Sequence, residues 1–277
     1  MSRRSLGLFF GAGAAAAALA ACTPGGPTTA TDGSTAAATT TAPAASASSS
    51  ASATPTLTRA IAECGVEIPQ ETAGPYPGDG SNGPNVLEAS GVVRQDITSS
   101  FGSSTTRVDG VPLTVTLTLL DGSARTGANG CEPLIGAAVY AWHCDRDGKY
   151  SMYDSGLDNE NYLRGVQEAD ANGLVTFTTI YPGAYNGRWP HIHFEVFESM
   201  SSATAAGKVL AVSQIALTDA ACKEVYASAG YEASAQNFPN TTLKSDNVFG
   251  DDGAIYQLAT IAGSVSGGYT AGLNVTV

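Results

Sequence analysis

The chain has 277 residues, 43% of them apolar and 14% charged, which is enough to build a sizeable core in one large domain or two small ones. Thirteen Lys and Arg stand against twenty-five Asp and Glu, a formal net charge of −12. With no basic run in the part expected to fold, nucleic acid and anionic membrane surfaces are poor partners.

Residues 1–22 read as an export signal. Arg3 and Arg4 precede an apolar stretch from Leu6 to Leu19, too short to span a bilayer, and the stretch closes with Leu19-Ala20-Ala21-Cys22. That ending resembles a bacterial lipobox, which implies a lipid anchor at Cys22 as the chain's membrane contact and an extracytoplasmic location. "SRRSLGL" also resembles a twin-arginine signal. Residues 23–58 are almost only Thr, Ala, Ser, Pro and Gly, with Asp32 as their one charge, and are expected to form a disordered tether. Residues 59–277 are left as the folded domain.

If Cys22 carries lipid, the domain keeps Cys64, Cys131, Cys144 and Cys222. An even number in an exported protein predicts two disulfides, with three connectivities open. No C-x-x-C pair is present to favour a metal-thiolate site.

Residues 65–110 are rich in Gly and Pro and are expected to form an extended N-terminal arm. Composition alone favours a surface wrap over sheet edges rather than a pocket wall. Strands are predicted at 111–121, 134–145, 173–180, 191–198, 208–217 and 272–277, each β-branched or aromatic-rich and bounded by turn residues. One helix is predicted at 219–229, with Thr218 or Asp219 as its N-cap. This pattern predicts an all-β protein, a β-sandwich or barrel with few short helices.

The chain has only three histidines, and two of them lie in "YNGRWPHIHFEVF". In a strand alternate side chains share a face, so His191 and His193 can meet one metal ion. Tyr185 lies six residues upstream, and Tyr150 follows the turn at Asp147-Gly148. Two phenols and two imidazoles suit a hard, highly charged cation, because its charge stabilises phenolate; ferric iron fits better than zinc, which prefers Cys, His and carboxylate. His143 reads as a packing or hydrogen-bonded residue, Trp142 and Trp189 as core or pocket wall, Tyr153 as a rival of Tyr150, and Tyr76 as a candidate lining residue of the pocket.

The segments "ETAGPY" (71–76), "VRQDI" (93–97), "VYAWHCDRDGKYS" (139–151), "FTTIYPGAYNGRWPHIHFEV" (177–196) and "VSQI" (212–215) resemble the intradiol ring-cleavage dioxygenases. The resemblance implies that family's β-sandwich and a non-haem Fe(III) held by Tyr150, Tyr185, His191 and His193. It makes Tyr150 the ligand that leaves when substrate binds, Arg188 the cation beside the bound ring and Gln214 a pocket residue near it. The implied substrates are a catechol-type diol and O2. Better-known members are cytoplasmic and often oligomeric; here a signal and tether occupy the place of the helical dimerisation region that some carry, so the oligomeric state stays open. Two other readings remain: a cell-surface binding module without turnover on the same sandwich, and a zinc or copper protein using His191 and His193.

Overall fold

Along "LTVTLTLL" every second residue is apolar, and Leu113, Val115, Leu117 and Leu119 are all buried while the threonines between them are mostly half-exposed. This period-two pattern builds β1 (Pro112–Thr126), the long central strand of the first sheet. A computed structural model describes residues 66–126, 130–205 and 207–277. The signal, the tether, Cys22 and Cys64 lie outside the described residues.

The first sheet runs β2 (Gly130–Pro133), β1, β9 (Gly268–Thr276), β8 (Thr260–Ser264), with β5 (Leu174–Ile180) pairing the N-terminal half of β1. Its strands are antiparallel except for the β1–β9 pair. The second sheet is an antiparallel meander in space, β4 (Arg164–Glu168), β3 (Ala138–Trp142), β6 (His191–Phe197), β7 (Val209–Ala216). The two sheets pack face to face: Leu113, Leu117, Phe177 and Leu273 from the first meet Val139, Ile192, Phe194 and Ile215 from the second in one apolar cluster. The expected all-β sandwich is the observed fold.

β6 is buried at every position. Ile192, Phe194 and Val196 enter the core between the sheets, so His191, His193, Glu195 and Phe197 are turned to the outer face of the second sheet. That face is not left to solvent. Val86, Leu87 and Val92 of the N-terminal arm form a second apolar cluster with Tyr140, Trp142, Tyr150, Val166 and Phe197. The arm is tied to the sandwich by backbone hydrogen bonds, among them Glu71 N to Val212 O (2.7 Å), Arg94 N to Val166 O (3.1 Å) and Ile97 N to Thr178 O (3.0 Å). It therefore follows the edge strands β4, β5 and β7, as a surface wrap would, and also covers the outer face of the second sheet.

Helix α2 (Asp219–Tyr226) forms where expected and ends earlier, with Thr218 at the N-cap position and an Asp219–Lys223 pair at 2.6 Å along one face. Two short helices, α1 (Met200–Thr204) and α3 (Glu232–Asn237), were not predicted, nor were β2, β4 and β8. The expectation of two disulfides is overturned. Cys131 is disulfide-bonded, but Cys144 and Cys222 are free and buried. They belong to different apolar clusters, Cys144 on the outer face of the second sheet and Cys222 in the core between the sheets.

Candidate metal centre

The turn after β3 carries Tyr150. Asp145 organises it, its Oδ1 accepting from the amides of Asp147 and Lys149 at 3.0 Å each, and the Tyr150 amide then donates to Asp154 Oδ2 at 2.6 Å. Gly148 is required at φ +79°, and a Cβ there would sit 3.1 Å from the Cβ of Tyr185. The turn thus brings the two tyrosine-bearing segments together. Their hydroxyls lie 3.4 Å apart, with the rings edge-on at 5.9 Å between centroids.

His191 and His193 complete the cluster from β6. The Tyr185 hydroxyl is 3.2 Å from His191 Nε2, and the Nε2 atoms of the two imidazoles are 3.0 Å apart. His191 Nδ1 bonds the Trp189 carbonyl, which fixes its proton on Nδ1 and leaves Nε2 as a lone pair aimed at Tyr185 and His193. His193 lies stacked on Trp142, ring centroids 4.9 Å apart, and its buried Nδ1 has no partner.

The electrostatics of this pocket keep all four groups uncharged. Burial first, and then the neighbouring Arg188, push His191 down to about 3. His193 is driven well below the usual imidazole range by burial and by His191. Burial likewise pushes Tyr185 up to about 12 and Tyr150 well above the ordinary phenol value. Burial thus disfavours charge on all four groups: the imidazoles keep their lone pairs free of an added proton and the phenols keep their hydroxyl protons. Together they converge as the mixed N and O donor set of a cation site, where a bound cation would be needed to ionise the phenols. Among the described residues no cluster of three His, Cys, Asp or Glu side chains could hold a metal, so a site here needs its tyrosines. The zinc or copper reading loses its usual ligands.

Arg188 stands at the edge of the cluster, Nη1 3.5 Å from His191 Nε2. Its Nη2 donates to Gln214 Oε1 at 2.6 Å, and Gln214 Nε2 donates to the Thr72 carbonyl at 2.9 Å. Gln214 is wholly buried and lies opposite His193 in the β6–β7 register. The arm supplies the wall. Gly74, at φ +73°, approaches so closely that a Cβ would lie 3.3 Å from His193 Cε1, and Tyr76 packs on Tyr150 at 5.1 Å while staying 39% exposed.

The remaining sequence candidates fall outside the cluster. His143 bonds the Cys144 carbonyl through Nδ1 and Thr179 Oγ1 through Nε2, both at 2.7 Å, and is a packing residue. Tyr153 holds the arm, accepting from the Gly78 amide and donating to the Asn82 carbonyl. Trp189 donates to the Leu217 carbonyl. Sequence reasoning missed Asp246, which is buried and ion-paired to Arg188 at 2.9 Å; the only local signal in "KSDNVFG" is an Asp able to cap the amides that follow it.

A family model described as dioxygenase matches residues 98–204, a span that contains both tyrosines, Arg188 and both histidines. An intradiol ring-cleavage dioxygenase from Tetranychus urticae superposes with a TM-score of 0.59 at 26% identity, covering 76% of this chain and 94% of that one. The family-model match and this structural neighbour agree with the family that the sequence segments resemble, the intradiol ring-cleavage dioxygenases. A second dioxygenase of known crystal structure matches at 25% identity and a TM-score of 0.58, covering 77% of this chain and 94% of its own. The 3-chlorocatechol 1,2-dioxygenase of Rhodococcus opacus 1CP is 16% identical with a TM-score of 0.48, covering 76% and 72%. Gln214 and Asp246 lie beyond the stretch that the family model matches.

Proposed function

We propose that the protein is a non-haem Fe(III) enzyme that opens catechol-type diols between their two hydroxyl-bearing carbons. The observation that carries this reading is the chain of contacts Tyr150–Tyr185–His191–His193 at 3.4, 3.2 and 3.0 Å, which converges two imidazole nitrogens and two phenol oxygens. These four side chains would hold the ion. When bound, the ferric ion supplies Lewis acidity that favours the ionised diol and draws electron density from the ring.

The chain's own groups do the rest. A diol must lose protons before it reacts with oxygen, and the Tyr150 oxygen, which would be ionised with the ferric ion bound and whose buried phenolate would be strongly basic, would be the acceptor within the cluster. Arg188 presents a fixed positive charge beside the histidine edge, where negative charge grows as the ring is attacked. Trp142 backs His193 and Tyr76 covers Tyr150, which keeps bulk water from the reacting atoms. Both atoms of O2 enter the product, and the ring supplies all the electrons, so no external reductant is needed. The leader ending at Cys22 supports an extracytoplasmic, lipid-anchored setting for this activity. A binding module without turnover has no evident use for the whole set of donors together with Arg188.

The test is a visible absorption spectrum of the iron-loaded protein before and after anaerobic catechol, followed by product analysis with isotopically labelled O2. A phenolate-to-iron band that shifts with catechol, and a ring-opened dicarboxylate carrying both labelled atoms, are expected. A colourless iron-loaded protein that ignores catechol would sink the assignment.

A further inference from the structure

Asp246 follows the short turn Leu243–Ser245 and lies beneath the site with no exposed side-chain surface. Its Oδ2 accepts from Arg188 Nε at 2.9 Å and from the Trp189 amide at 2.6 Å; its Oδ1 accepts from the amides of Val248 and Phe249 at 2.8 and 3.0 Å. Burial alone would raise its pKa, yet Arg188 and the amides outweigh burial and hold it below the ordinary carboxylate value. The carboxylate is thus ionised, fully bonded and fixed.

Two consequences follow for Arg188. Its Nε is held by Asp246 and its Nη2 by Gln214, so Nη1 is the nitrogen left at the His191 edge. Its charge is also matched at close range by a buried partner. An acidic group stands near this edge as well: Glu71, half-buried and next in sequence to Thr72, lies within the field of Asp251, Asp252 and Arg188. Arg164, the other guanidinium acting on His193, is sealed from the pocket and commits its donors to Pro77, Tyr76, Ser151 and Tyr140. A ring bearing its own carboxylate would meet, in Arg188, a cation whose charge Asp246 already matches, with Glu71 close to it.

We propose that Asp246 is the positioning and charge-setting residue of this site, selecting catechols whose ring substituents carry no negative charge. The inference rests on the ring-cleavage reading above. It assigns Asp246 a role that acts through Arg188 and not on the reacting atoms.

The experiment compares catechol with 3,4-dihydroxybenzoate on the iron-loaded full chain, wild type and Asp246→Asn, by steady-state kinetics and by anaerobic optical titration. Wild type is expected to prefer catechol in kcat/KM by about tenfold or more, the scale of one desolvated charge contact. In Asp246→Asn that preference should shrink by about tenfold, with KM for the carboxylated ring falling while kcat for catechol also falls as Arg188 loosens. Asp246→Glu, which keeps the charge, should restore the preference. Equal use of both substrates by wild type overturns the proposal, as does an equal loss on both in Asp246→Asn. Should Asp246→Asn fail to fold, wild-type dissociation constants decide: equal affinities overturn the proposal, and weak carboxylate binding that tightens with added salt supports it. Wild type that opens neither ring sinks the ring-cleavage reading and this inference together, whereas turnover without selectivity sinks this inference alone.

Discussion

At the residue scale the cluster separates side chains that hold the fold from side chains held by it. The Tyr185 hydroxyl has only two neighbours within reach, Tyr150 at 3.4 Å and His191 at 3.2 Å, both longer than a strong hydroxyl bond. Removing it should cost the metal-free fold no more than about 1 kcal/mol. It should cost metal far more, because even residues that only support a ligand are worth about tenfold in affinity. Tyr185→Phe is therefore expected to melt like wild type when metal-free and to retain at least about tenfold less iron, measured as bound metal after dialysis. Unchanged metal content would return the site to its two histidines and revive the zinc or copper reading.

At the element scale, Arg164 of β4 joins three pieces of chain. Its guanidinium donates to the carbonyls of Tyr76 and Pro77 in the arm and of Ser151 beside Tyr150, and to the Tyr140 hydroxyl on β3. The ring of Tyr153 lies under it, 5.4 Å from its carbon. Replacement by Met would strip buried carbonyls of their donor and should destabilise the protein by about 3 kcal/mol or more. For a domain of this size that is a fall in Tm of roughly 10 °C. Lys, which lacks the planar fork, should recover only part of it. An unchanged Tm in Arg164→Met would show that the arm is held by its backbone bonds alone.

The same strand shows why the sequence was legible only in part. β6 announces itself, since Ile192, Phe194 and Val196 alternate with His191 and His193 and both faces bury. β4 is "RGVQE", with one β-branched residue among polar ones, because its outward face is covered by the arm and its Arg by carbonyls that lie far away in sequence. The four donors of the cluster were readable because they fall in two short segments, with types that suit one kind of ion. Asp246 was not, since its meaning comes from Arg188, fifty-eight residues earlier. Likewise, nothing local told a wrapping arm from a wall: Gly74 and Tyr76 acquire roles only when the arm crosses the outer face of the second sheet.

For the whole molecule, buried ionisable groups set how stability varies with pH. His143, bonded on both nitrogens and away from the cluster, is pushed by burial from 6.5 down to about 4. Between those values the unfolded chain binds a proton that the folded one refuses, so stability falls as pH drops through that window. His191 and His193, also lowered, steepen this acid limb in metal-free protein. Glu195 works the other way. Burial, and then Asp79 in the arm, with which it shares a hydrogen bond, raise it from 4.5 to about 8. Here the folded state keeps a proton that the unfolded state releases, so stability falls as pH rises from 4.5 to about 8. Three imidazoles against one carboxyl leave the acid limb dominant below 6.5, and above it the Glu195 limb alone continues. Urea midpoints of the metal-free protein should therefore peak near the histidine value and then decline on the alkaline side by up to about 1.4 kcal/mol per pH unit, the slope of one proton. Glu195→Gln, an uncharged mimic of the protonated acid, should flatten the alkaline decline and leave the acid limb in place. An alkaline limb equally steep in that variant would mean that Glu195 is ionised in the folded protein and that the arm meets β6 across two charges instead of a shared proton.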